Sequence, residues 1–65
     1  MSLIRYTKED LETLDKAIFD NYIKAHEAME EKDFDSYDKY RDKYESADTI
    51  VREINEKGFC LAPAV

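Results

Sequence analysis

From Thr7 to Lys57 the chain runs without a glycine or a proline; its single copies of each, Gly58 and Pro63, lie close to the C-terminus. Those two residues are the strongest local punctuators of regular structure, so nothing in this long stretch forces an irregular backbone. Within it, apolar residues return at steps of three and four rather than two, which is helical and not strand spacing. Mixed charged and apolar sequence of this kind forms helices.

The more regular signal lies in the second half. Tyr37, Tyr40, Tyr44, Ala47, Val51 and Ile54 are spaced 3, 4, 3, 4 and 3, the seam of a coiled coil, with Ile50 on its flank. Asp38 with Arg41, and Glu53 with Lys57, place opposed charges outside that seam, where such pairs add only a few tenths of a kcal/mol. In the first half Leu11, Leu14, Ile18, Tyr22, Ala25 and Met29 fall within a sector of roughly 80° at 100° per residue. Phe19, Ile23 and His26 sit beside that stripe, giving the first helix more apolar face than one neighbouring helix covers.

Between the two patterns lies Glu27–Asp38, with six carboxylates against one lysine. The first helix fades near Glu31 or Lys32, and Asp33 or Asp35 caps the second, with Phe34 packing back as a staple. At the other end Thr7 is an N-cap followed by Glu9 and Asp10, and Tyr6 and Leu11 occupy the two staple positions. Gly58 supplies a left-handed C-terminal stop, with Phe59 placed for the hydrophobic contact of a Schellman motif. The expected fold is all-α: an antiparallel two-helix hairpin, helices over roughly 8–31 and 35–57, in one small domain spanning 1–65. Residues 1–6 form an apolar lead-in and residues 58–65 an uncharged apolar tail.

A chain of 65 residues buries only about 60% of its unfolded surface, and such domains usually need a staple or a partner. Cys60 is the only cysteine, so no disulfide and no zinc pattern is available. The expected remedy is self-association, two hairpins pairing into a four-helix bundle, as a dimer or a dimer of dimers. A lone cysteine agrees with a reducing compartment; with no signal peptide and no apolar run approaching the roughly 20 residues of a membrane span, a cytoplasmic protein is expected.

Net charge is −6, shared by both halves: residues 7–32 hold four basic and eight acidic groups, residues 33–57 five and eight. Direct nucleic-acid binding is therefore disfavoured, because it rests on a basic patch. Asp33-x-Asp35 invites comparison with a calcium loop, but the sixth and twelfth positions, which need Gly and Glu, hold Asp38 and Tyr44. A di-metal bundle needs Glu three residues before His, and that position before His26 is Ile23. Cys60, Ser36 and Ser46 have no base at partner spacing, and no cofactor motif is present, so an enzyme would require a site built between subunits. Tyr37, Tyr40 and Tyr44 could stack bases, but seam spacing assigns them to packing.

Two functional readings remain from different classes. The first is an acidic protein–protein interaction or regulatory module, using Phe19, Ile23, His26, Phe59, Leu61 and Val65 as interface and its acid to select a basic protein partner. The second is inhibition of a DNA- or RNA-binding enzyme by nucleic-acid mimicry, with Asp33, Asp35, Asp38, Asp42 and Glu45 as the phosphate-like row. For the apolar surplus, the bland alternative has the tail folding over Phe19 and Ile23 within one monomer.

Overall fold

The computed structural model describes residues 2–64. Their order is β1 (Ile4–Thr7), a single 3-10 turn (Lys8–Asp10), α1 (Leu11–Glu30), α2 (Phe34–Lys57) and β2 (Phe59–Ala62). The two helices form the expected hairpin, but the ends of the chain depart from the all-α expectation. Lead-in and tail pair with each other as an antiparallel two-stranded sheet, with Ile4 opposite Ala62, Arg5 opposite Leu61, Tyr6 opposite Cys60 and Thr7 opposite Phe59.

The physical reason is legible after the fact. Both segments are rich in β-branched, aromatic and aliphatic residues, which suit a pleated, half-buried surface, and a hairpin brings the two ends of the chain to one end of the helix pair. Alternate residues of a strand face opposite sides. Tyr6, Cys60 and Ala62 pack against the core, while Arg5, Phe59 and Leu61 stay exposed.

The start of α1 is later than the sequence implies. Thr7 caps the 3-10 turn, not the α-helix, and its N–H donates to Asp10 Oδ2 at 2.8 Å. Tyr6 and Leu11, the staple pair, both pack against the same core cluster.

Three residues make the corner. Lys32 adopts φ 59°, and the N–H groups of Lys32 and Asp33 donate to the carbonyls of Met29 and Ala28 at 3.1 and 2.8 Å. That double bond pattern is a Schellman motif, closed by a lysine where glycine is usual. Asp33 then caps α2, its Oδ1 accepting from the Ser36 N–H at 3.3 Å. One residue thus closes the first helix and opens the second.

At the far end Gly58 is left-handed, φ 89°, and its N–H donates to Ile54 at 2.7 Å. This is the simpler single-bond stop, not the Schellman motif expected there. Phe59 is exposed, and its ring lies under the Arg5 guanidinium, 5.1 Å from centroid to Cζ.

The core is Leu14, Ala47, Ile50, Ile54 and Cys60, with Tyr6, Leu11, Ile18, Val51 and Ala62 packed around it. Toward the corner, Ala25 and Ala28 are buried as well. The α2 seam behaves as its spacing implies, from half-buried tyrosines to buried Ala47 and Ile54. On α1 the expected stripe is buried at Leu14 and Ala25 and packs on the core at Leu11 and Ile18, but Ala28 is also inside, while Tyr22 and Met29 are 55% and 40% exposed. Ala25 and Ala28 on α1 and Ala47 on α2 fill buried positions with small side chains. Ile50 is core because the sheet covers the flank of the seam.

Candidate interaction surface

Among the described residues the tail does not fold over Phe19 and Ile23 of α1. β2 pairs with β1 and packs on α2, leaving Phe19 63% and Ile23 39% exposed. At 100° per residue Phe19, Ile23 and His26 occupy about 60° on the side of α1 turned from the buried line. Beside Ile23 lies a shallow depression lined by Tyr22, Ile23, His26, Glu27 and Glu30. His26 Nε2 stands 3.9 Å from Glu30 Oε1, both well exposed, and its ring stacks on Tyr22 at 6.4 Å. Tyr22 meets Tyr44 of α2 edge to face at 5.6 Å, so the stripe is braced from beneath by an aromatic contact between helices.

Phe59 and Leu61 belong to a different surface, the outer face of the sheet, where Leu61 is 55% exposed. The candidate interface residues therefore separate into a helical patch and a sheet patch. Val65 lies outside the described residues.

The acidic residues also rearrange. Asp33 and Asp35 stay at the corner, but Asp38, Asp42 and Glu45 climb α2, all exposed. Asp35, Asp38, Asp42 and Glu45 share about 80° of the helix surface. Arg41 Nε approaches Glu45 at 3.8 Å, so the row is partly neutralised at its upper end. Beside it, a cationic cluster has no counterpart in the periodicity: Lys24, Lys39 and Lys43 set their ammonium groups 5.7–5.9 Å from the Tyr40 ring. Those three lysines come from two helices, and only the hairpin brings them together.

Cys60 is buried. Burial pushes its thiol pKa up, the neighbouring Glu53 carboxylate adds to the rise, and Lys57 opposes it weakly. A thiol held protonated in this way is a poor nucleophile. The Tyr44 hydroxyl is likewise raised, by burial first and then by Tyr37 and Glu45. Among the described residues no group of three or more His, Cys, Asp or Glu side chains is placed to hold a metal ion, and no helix is long and apolar enough to cross a membrane.

Along α2 and β2 runs an open groove of about 480 Å³ that no periodicity announces; Ser46, Thr49, Ile50 and Glu53 form one wall, Cys60 to Ala64 the other, and Asp42 and Lys43 close one end. Comparison of the chain with protein-family models, with curated proteins and with solved structures finds no match. The class the fold defines is a two-helix hairpin closed by a terminal two-stranded sheet.

Proposed function

We propose that this protein is a small acidic interaction module that self-associates, bringing four helices into one assembly, and docks a basic protein partner. The observation that carries this reading is the Phe19–Ile23–His26 stripe, which the described residues leave exposed. An apolar strip bordered by carboxylates, here Glu27 and Glu30, has the make-up of a docking patch: apolar contact supplies affinity, and the rim charge steers a basic partner into register.

A second reading, mimicry of nucleic acid toward a DNA- or RNA-binding enzyme, draws on the Asp35–Asp38–Asp42–Glu45 row. A pull-down from the native host at low and high salt separates the two. A basic protein retained at high salt and lost with Ile23→Glu supports the docking stripe. A protein released by salt, lost when Asp35, Asp38 and Asp42 become Asn, and indifferent to Ile23→Glu replaces it with mimicry.

A further inference from the structure

The self-association in that reading has no seam assigned to it, and the sheet supplies one. Among the described residues the sheet has two strands, so β2 is hydrogen-bonded on one side only. The groove of about 480 Å³ lies along its other side: β2 and α2 line it, and no residue of β1 does. An unpaired strand edge presents a row of N–H and C=O groups that templates another strand. Chains that must keep such an edge free use a very short strand, lysine, proline, a bulge or an inward charge. Phe59-Cys60-Leu61-Ala62 carries no lysine, no bulge and no charge; its protection is limited to its length of four residues and to Pro63 just past it.

We propose that two copies of this chain join antiparallel along the free edge of β2, about a two-fold axis, into a continuous four-stranded sheet of order β1-β2-β2-β1 with all four helices on one face.

The groove itself favours a second copy over an unrelated strand. Lys43 lies toward one end and Glu53 toward the other, with uncharged Ser46, Thr49 and Ile50 between them. Antiparallel two-fold pairing turns one copy's Lys43 end toward the other's Glu53 end, so the pattern complements itself, although Asp42 beside Lys43 offsets part of that attraction. An isologous interface requires this self-complementarity. Pairing also extends a two-stranded ribbon, which is marginal alone, to the three or more strands at which a sheet holds itself. It sets Leu61 of each copy near the other on the sheet's outer face, while the Phe19–Ile23–His26 stripe stays outside the seam and free for a partner.

The test is sedimentation equilibrium over a wide concentration range on wild type, Thr49→Lys, Ser46→Lys and Ile23→Glu, with circular dichroism confirming each fold. Ser46, Thr49 and Ile23 are exposed in the monomer, so each variant keeps its helices. Wild type dimerises; Thr49→Lys and Ser46→Lys weaken the dimer by about a hundredfold, because each brings two like charges together at the seam. Ile23→Glu leaves dimerisation unchanged. Isotope-filtered NMR on a mixed-label sample then shows contacts between β2 of one copy and β2 of the other. A monomeric wild type, or a dimer indifferent to both lysine variants, overturns the proposal, as does a dimer broken by Ile23→Glu alone. A monomer that still captures its partner through Ile23 refutes the β2 seam and leaves partner docking standing; a β2 dimer that captures nothing does the reverse.

Discussion

The phenol of Tyr6 donates to the Pro63 carbonyl at 3.3 Å, in a ladder where Tyr6 itself stands opposite Cys60. This contact ties residues from the two ends of the chain into one sheet and lays that sheet over Ile50 and Ile54. The tail is thus part of the core. Ending the chain after Gly58 removes Cys60 and Ala62 from the cluster and leaves β1 unpaired. Urea unfolding of that truncation is expected to show a broad transition of low m-value in place of a cooperative one.

Core and stripe respond oppositely to truncation of a side chain. Ile54 is completely buried, and Ile54→Ala is expected to cost about 3 kcal/mol, within the usual range for such cavities. That is most of what a domain this small commands. Phe19→Ala, at an exposed position, is expected to change stability by less than about 0.5 kcal/mol while weakening partner capture. Parallel urea titrations decide it; a Phe19→Ala penalty as large as that of Ile54→Ala would mean the stripe is structural.

The two left-handed residues give a paired prediction. A Cβ at Gly58 meets nothing within 4 Å, so Gly58→Ala suffers only the backbone penalty of positive φ, about 1 kcal/mol. Lys32 already bears that penalty at φ 59°, so Lys32→Gly is expected to stabilise, by up to about 1 kcal/mol. Thermal melts of the two variants should shift in opposite directions.

Alkaline pH should destabilise the fold through Cys60. Its pKa is raised by burial and by Glu53, so the unfolded chain loses the thiol proton at lower pH than the folded one. The native state binds more protons in that window, and stability falls as pH rises. The effect is absent below the ordinary thiol value of about 8.5 and grows from there toward the folded-state pKa. Tyr44, also raised, adds a loss of the same sign at higher pH. Cys60→Ala should flatten the first part of the decline in denaturation midpoints measured against pH, leaving the later part intact.

The helices were legible because their determinants are local. Asp33 and Gly58 act as helix caps within a turn of their own positions, and three-and-four spacing along Tyr37–Ile54 defines a buried face whatever covers it. The corner was legible in place but not in mechanism: no rule of composition assigns a left-handed Schellman turn to Lys32. On α1 the expected stripe holds at Leu11, Leu14, Ile18 and Ala25, while Tyr22 and Met29 stay exposed and Ala28 is buried instead.

What the sequence determined by itself is a pair of amphipathic helices, their order, their caps and an acidic surface, all consequences of periodicity and short-range hydrogen bonding. What only the tertiary structure decided is the partner of each end. Ile4–Thr7 and Phe59–Ala62 are too short to carry a strand signal alone, and their pairing joins residues more than fifty positions apart, a contact no local window contains. That pairing commits Cys60 to the core, exposes Leu61, opens the groove beside β2 and leaves Phe19 and Ile23 uncovered on the back of α1.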